Sequence, residues 1–145
     1  MRRVLACVDL SASTDAVVAC GCDLAGPDGE LTILHVAAPE PDFVGYGVGP
    51  PSVRDTIARE LREEHRAVER LAEATRATGI AATALTVQGA AVERILEHAA
   101  RLAIDFVIVA SSSHGALHDL LVGSAIPGLL HRAAVPVVVV PHHPK

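Results

Sequence analysis

Polar side chains follow two of the hydrophobic segments of this 145-residue chain. Asp9 comes directly after residues 4–8 (VLACV), and the turn SSSHG at residues 111–115 follows residues 106–110 (FVIVA). A carboxylate, hydroxyl groups and an imidazole could bind a sugar and a phosphate, or could form a nucleophile with its base. The second alternative is disfavoured, because no third orienting acid is evident nearby and neighbours in sequence seldom form a triad. We therefore interpret the serine-rich turn as a polar turn that faces a phosphate.

A second candidate for anion binding is the dipeptide Gly123-Ser124. Residues 120–134 are predicted to be mostly helical, with Pro127 in the first turn, where proline is tolerated. The N–H groups at the start of a helix lack partners within it and, together with the helix dipole, favour an anion. The dipeptide opens this helix a few residues after the serine-rich turn. Together the two segments are the predicted phosphate side of a ligand site.

Strands and helices must alternate to position these groups. Continuous apolar runs are typical of strands buried on both faces, and apolar residues at helical spacing separate them. Residues 39–51 hold four prolines and three glycines and are predicted to be a loop. The predicted strands are residues 4–8, 31–36, 82–87, 106–110 and 137–140; the predicted helices are residues 17–24, with a cap at Ser11, Ser13 or Thr14, and residues 53–78, 90–102 and 120–134.

This alternation predicts an α/β fold in which a doubly wound, five-stranded parallel sheet carries helices on both faces. Ligands of such sheets bind beyond the carboxyl ends of the strands, where the strand order reverses. Asp9, Val36 and the turn from Ala110 to Gly115 occupy those ends. Asp9 has a second interpretation, because an aspartate shortly before a helix could simply cap it.

Composition excludes several classes of protein. Half of the residues are hydrophobic, which excludes disorder, and the formal net charge of −5 with Lys145 as the only lysine argues against a nucleic-acid binder. The three cysteines, an odd number, include a CGC pair that has no zinc spacing, which favours a reducing, cytoplasmic location. No stretch is long and apolar enough for a membrane span. We expect one soluble domain over residues 1–145, with no membrane or nucleic-acid partner.

The chain resembles the universal stress protein family over nearly its whole length. It begins with VDLSAST, continues with LTILHV at the second strand and VQGAAVERILEHA before the third helix, and ends with IDFVIVA and LLVGSAIPGLLHRAAVPVVVVP. The resemblance implies the strand order 3-2-1-4-5 of the adenine nucleotide alpha hydrolase-like fold, with a switch point between the first and fourth strands. It also implies a stress-response role.

Members of this family that bind ATP hold it with a loop of pattern G-x2-G-x9-G-S/T after the fourth strand. The resemblance implies that Asp9 contacts the ribose or base and that the Val36 backbone meets the adenine edge. The implied ligand is an adenine nucleotide, namely ATP with Mg²⁺, AMP or cyclic AMP, and no catalytic residue or resident metal is implied. The implied binding residues are Cys7, Val8, Asp9, Val36, Val109, Ala110, Ser111, Ser113, His114, Gly123, Ser124 and Ala125.

Two residues depart from the phosphate-binding pattern. Aligned backward from Gly123-Ser124, Ala110 stands at the first glycine position and Ser113 at the second. Glycine gives a phosphate room to approach backbone N–H groups, and a Cβ occupies that room. Two hypotheses follow: a nucleotide-binding protein with a degenerate phosphate loop, or a member of the family that binds no nucleotide and acts as a dimeric protein-interaction module. A nucleotide hydrolase is a third, weaker alternative.

The fifth predicted strand suggests a partner. Four consecutive valines at residues 137–140 would lie at the edge of the sheet and leave backbone groups and a row of side chains uncovered. The resemblance implies that this strand pairs with its twin in a homodimer. His142 and His143 follow it in the tail, where solvation is favoured over metal binding.

Overall fold

The computed structural model describes residues 1–38, 51–111 and 125–141, without the side chains of residues 51, 52 and 125. The predicted loop before residue 51, the start of the last predicted helix at residues 120–124 and the two tail histidines lie outside the described residues. So do four of the predicted site residues, which are Ser113, His114, Gly123 and Ser124.

The five predicted strands form a single sheet in the predicted order, β3-β2-β1-β4-β5, and every pair is parallel. Each predicted strand is confirmed to within a residue or two at either end. The order reverses between β1 and β4, as predicted. The strands are β1 (Arg3–Val8), β2 (Glu30–Ala37), β3 (Ala81–Gln88), β4 (Phe106–Ala110) and β5 (Val137–Val140).

Helices fill the connections, and we number those of the described residues α1 to α4. They are α1 (Thr14–Ala25), α2 (Pro51–Ala77), α3 (Ala91–Arg101) and α4 (Ala125–Arg132). The loop prediction was wrong for Pro51, which is the first residue of α2, because proline fits the first turn of a helix. Pro127 lies in the first turn of α4, as predicted. No helix within the described ranges is long and apolar enough to cross a bilayer.

Two layers of side chains hold the sheet between its helices. On one face, Val4, Ala6 and Val8 of β1 pack with Val17 of α1 and Val68 of α2. The other face is packed against α3 and α4. There the cluster includes Leu5, Cys7, Leu34, Val36, Ile95, Val107, Val109 and Leu129. Alternate residues of each strand therefore enter opposite layers, which explains why the strand sequences are apolar without interruption.

Candidate functional site

The sheet splits at the point where its order reverses. Pairing between β1 and β4 is registered only as far as Ala6 with Ile108, although the strands run on to Val8 and Ala110. On the outer sides, by contrast, β1 stays paired with β2 through Val8, and β4 stays paired with β5 through Ala110. The two central strands thus end beside each other without a ladder between their last residues. This is the crevice in which ligands of doubly wound sheets bind.

Asp9 enters the turn that follows β1 and organises it. Its Oδ1 accepts hydrogen bonds from the backbone N–H of Ser11, at 3.0 Å, and from the Ser11 hydroxyl. The Ser11 hydroxyl in turn lies 3.1 Å from the hydroxyl of Ser13. An aspartate that bonds to the backbone two residues later forms an Asx turn. These bonds precede the first helical residue, Thr14, so the carboxylate shapes the turn ahead of α1.

The residue after Asp9 has an unusual backbone. Leu10 adopts a φ of +63°, in the left-handed region that side chains with a Cβ disfavour by about 1 kcal/mol. Such strain persists only where surrounding contacts enforce it, and it is concentrated at functional sites. The hydrogen bonds between Ser11 and the Asp9 carboxylate join the residues on either side of Leu10 and so hold Leu10 in this conformation.

The N-terminus of α1 lacks the side-chain capping hydrogen bond that the sequence predicted. Ser13 occupies the N-cap position, but its side chain makes no capping hydrogen bond and faces Ser11 instead. Thr14 is 6% exposed, and its Oγ1 is buried without a hydrogen-bond partner in the structure. Two nearly buried hydroxyl-bearing residues therefore line the start of α1. They make the start of α1, which follows the end of β1, polar.

The end of β2 lies next to the end of β1. Val36 is completely buried and its side chain packs in the layer against α3, so any contact with a ligand would come from its backbone. His35, one residue earlier, is 7% exposed, with Nδ1 lying 3.0 Å from the Val8 carbonyl oxygen and Nε2 3.1 Å from Oε2 of Glu64. The last residues of both strands are thereby joined to α2.

The end of β4 carries three more of the predicted residues. Val109 and Ala110 are buried, and the Ala110 methyl group packs in the layer against α1. Ser111 is exposed, and its backbone N–H donates to the Val140 carbonyl oxygen at 2.8 Å. Because that N–H is already used, a contact of Ser111 with an anion would come from its hydroxyl.

Two of the predicted binding residues, both near the end of β1, are almost completely buried. Cys7 and Val8 are 3% and 1% exposed, and they enter opposite layers of the core. Burial raises the pKa of the Cys7 thiol to about 12, so this cysteine stays protonated. We assign both residues to the packing of β1 beneath the crevice.

Helix α4 begins at Ala125, directly after the predicted anion-binding dipeptide. Arg132 in its last turn donates to both carboxylate oxygens of Glu93 on α3, at 2.7 and 3.1 Å. The hydrogen bonds and charge of this pair lower the pKa of Glu93 and raise that of Arg132. The pair links α4 to α3 at the surface.

Sequence reasoning did not single out Glu64 of α2. A signal was available, because residue 64 falls between Leu61 and Val68 at helical spacing and so belongs to the stripe that faces the sheet. A carboxylate in such a stripe indicates a buried partner. That partner is His35, 29 residues away in sequence.

The part of the chain that the structure describes contains no cluster of three or more His, Cys, Asp or Glu side chains able to hold a metal ion. The described groups at the crevice are instead one carboxylate, several hydroxyl groups and the ends of parallel strands. Such groups suit a neutral, hydroxylated ligand portion, and the start of α4 suits an anionic one. The fold and this edge define a doubly wound α/β protein with a candidate binding site at its switch point.

Comparison with known proteins identifies the family. The model of the universal stress protein family matches residues 1–141. A universal stress protein of Thermus aquaticus, encoded 3′ of a QAH/OAS sulfhydrylase, is 31% identical over 111 residues, which are 76% of each chain. The chain belongs to the universal stress protein family.

Solved structures share the fold at low sequence identity. The universal stress protein UspA from Lactobacillus plantarum superimposes with a TM-score of 0.72 at 18% identity, over 96% of this chain and 97% of that one. A family member from Arabidopsis thaliana with AMP bound gives 0.65 at 14% identity, over 99% and 93%. A universal stress protein in complex with cAMP gives 0.61 at 21% identity, over 97% and 96%.

Proposed function

We propose that this universal stress protein binds an adenine nucleotide in the crevice between β1 and β4. The observation that carries the proposal is the split of the sheet beyond Ala6 and Ile108, with Asp9 held at its rim by Ser11. A carboxylate fixed in this way can accept hydrogen bonds from ribose hydroxyl groups, because each of its two oxygens can accept more than one hydrogen bond. The protein is proposed as a binding protein and not as an enzyme.

The bound states of relatives support this assignment. The Arabidopsis thaliana protein holds AMP and another family member holds cAMP, on the same fold. Both ligands have a single phosphate. In this chain Ala110 and Ser113 stand where the glycines of the ATP-binding pattern are expected, so room for a longer phosphate chain is reduced. We propose AMP or cyclic AMP as the preferred ligand, and ATP with Mg²⁺ as the weaker one.

The second candidate function is a protein-interaction module that binds no nucleotide. Two observations at the end of β4 favour it. The Ala110 methyl group is built into the core, and the Ser111 N–H is committed to Val140. A loop that starts from these positions offers fewer backbone donors to a phosphate than a glycine-rich loop does.

A homodimer through β5 is part of both proposals. This strand is at the edge of the sheet, and Val139 is 37% exposed on it. An edge strand of four β-branched residues is a template for pairing with another strand, and a second copy can supply its twin about a two-fold axis.

We also place the protein in the cytoplasm, where its three free thiols, Cys7, Cys20 and Cys22, would remain reduced.

The deciding experiment is calorimetric titration of the nucleotide-stripped protein with AMP, cyclic AMP and ATP. Ser113→Gly is titrated in parallel, with Ser112→Gly as the matched control. We expect saturable binding of a monophosphate by the natural protein. We also expect a gain for ATP of roughly tenfold or more in Ser113→Gly alone, since glycine removes the Cβ that would occupy the room of a phosphate, and a lost hydrogen bond to a charged group costs about 1.5–3 kcal/mol.

Two other outcomes have a definite meaning. Silence of the natural protein with all three nucleotides, together with binding gained by Ser113→Gly, selects the interaction module. Silence of both proteins contradicts nucleotide binding altogether, because the restored glycine then has no ligand to admit.

A further inference from the structure

His35 has hydrogen-bond acceptors at both ring nitrogens. Nδ1 lies 3.0 Å from the backbone carbonyl oxygen of Val8, and Nε2 lies 3.1 Å from a carboxylate oxygen of Glu64. A carbonyl oxygen can only accept, and an ionised carboxylate can only accept. A neutral imidazole has a single N–H, so it can donate to one of the two partners and turns a lone pair toward the other.

Both contacts are satisfied together only when the pair carries one extra proton. Either His35 is an imidazolium that donates to both oxygens, or a protonated Glu64 donates to Nε2 while Nδ1 donates to Val8. The ring is 7% exposed, which limits the access of water to its nitrogens, whereas the Glu64 side chain is 38% exposed and can turn to solvent when the contact is lost. Loss of the proton to solvent therefore breaks one of the two contacts.

The two partners belong to different parts of the candidate site. Val8 ends β1 and is followed by Asp9, whereas Glu64 lies on α2, which packs over β2 and β3. His35 itself precedes Val36 at the end of β2. One protonated ring thus connects the ends of both strands that the nucleotide is expected to meet with the helix above them.

We propose that His35 is a positioning residue that uses a bound proton to hold the ends of β1 and β2 against α2, and that it makes nucleotide affinity depend on pH. The inference rests on the proposed function and adds its regulation. Affinity is highest while the proton is bound and falls as pH rises and the ring loses one contact. Removal of one hydrogen bond from the support of the site predicts a change of roughly three- to tenfold.

Other titratable groups lie on the elements packed around this pair, so the ring signals of His35 and the Glu64→Gln variant are needed to assign a pH response to it. Thr86, the register partner of His35 on β3, carries a hydroxyl group that contacts His65 at 2.9 Å and does not titrate. Other titratable groups on the elements around the ring include Glu60 and His65 on α2, Asp9 at the end of β1, and the exposed Asp15 and Asp23 on α1, and α2 carries further Arg, Asp and Glu side chains along its length.

Glu64→Gln separates the role of the proton from the role of the contact. A glutamine amide can donate to Nε2 of a neutral ring while Nδ1–H stays on the Val8 oxygen, so both contacts survive without the extra proton. Glu63→Gln makes the same chemical change at the adjacent, exposed position and is the matched control. His35→Gln removes the ring.

Cyclic AMP is the probe, because its phosphodiester keeps one charge over the range in which histidine titrates, about pH 5 to 8. Affinity is measured across that range, and ¹⁵N NMR of the nucleotide-free protein follows the two ring nitrogens of His35, assigned by their absence in His35→Gln. We expect both nitrogens to be protonated at low pH, with affinity falling three- to tenfold as the signals of His35 titrate. Glu63→Gln should keep this profile, Glu64→Gln should bind tightly at every pH, and His35→Gln should bind weakly at every pH.

Two results would overturn the proposal: equal pH profiles for Glu64→Gln and the natural protein, or ring nitrogen signals of His35 that do not change between about pH 5 and 8. Failure of the proposed function looks different. No binding of cyclic AMP at any pH removes the site that His35 would regulate, and the ring spectra of the free protein still decide whether the proton-dependent contact exists.

Discussion

The carboxylate of Asp9 accepts two hydrogen bonds from Ser11, one from its backbone N–H at 3.0 Å and one from its hydroxyl. The same side chain was predicted from sequence either to bind a ligand or to cap the first helix. The observed bonds shape the turn between β1 and α1 and leave the carboxylate beside the crevice. One residue therefore has an observed structural role and a proposed binding role, and mutation can separate the two.

Asp9→Ala should weaken binding of AMP by about tenfold or more, because the loss of a hydrogen bond to a charged group costs about 1.5–3 kcal/mol. Asp9→Asn retains an oxygen that can accept from Ser11 and should lose less affinity. Calorimetric titration measures both variants, and Asp15→Ala, an exposed change in the first turn of α1, is the control. If Asp9→Ala lowers thermal stability yet binds AMP normally, the residue only forms the turn.

Val139→Lys should convert the proposed dimer to a monomer. The substitution places a charge on the exposed face of β5, where strand pairing between two copies would bury it. Sedimentation velocity at micromolar concentrations distinguishes the two states. Thr83→Lys makes a similar change at an exposed position of β3, the opposite edge of the sheet, and should leave the dimer intact. A monomeric natural protein would contradict the prediction directly.

Alkaline pH should destabilise the fold through Cys7. Its pKa rises from 9.0 to about 12 on folding because the thiol is buried. Between these values the unfolded chain loses a proton that the folded chain keeps, so the free energy of unfolding is undiminished below pH 9 and falls as pH rises toward 12. The slope approaches about 1.4 kcal/mol per pH unit for one group.

Urea unfolding under reducing conditions at several pH values tests this effect. Cys7→Ala should flatten the alkaline slope, although the buried sulfur leaves a small cavity and the variant is less stable throughout. Burial also raises the pKa values of the partly exposed Cys20 and Cys22. Cys20→Ala is therefore the control, and it should keep most of the slope. An unchanged slope in Cys7→Ala would show that another group dominates.

Alanine should have opposite effects at two glycines. A Cβ at Gly29 would lie 2.1 Å from the Ala25 carbonyl oxygen and 2.6 Å from that of Arg2, so backbone must move. A Cβ at Gly128, inside α4, would meet nothing within 4 Å. We expect Gly29→Ala to lower the free energy of unfolding by about 2 kcal/mol. Gly128→Ala should raise it by roughly 0.5–1 kcal/mol through helix propensity. Chemical denaturation measures both, and a stable Gly29→Ala would contradict the packing described for the turn before β2.

The order of the strands and helices could be predicted from the sequence because it depends on local patterns. Apolar runs such as residues 106–110 are typical of buried strands, and the stripe through Leu61 and Val68 is typical of a helix on a sheet. Asp9 and Ser111 could be predicted to lie at one edge of the sheet, because parallel strands end at the same edge.

Contacts between residues distant in sequence were decided only by the tertiary structure. The pairing of His35 with Glu64 spans 29 residues, and the bond from the Ser111 N–H to Val140 depends on how far β5 extends. Neither contact appears as a periodic pattern in the sequence, because each depends on the distance between two packed elements and on which of their residues face each other. The split between β1 and β4 likewise follows from the three-dimensional course of two strands whose sequences are equally apolar. Residue type and spacing therefore determined which groups are available, and packing decided which of them touch.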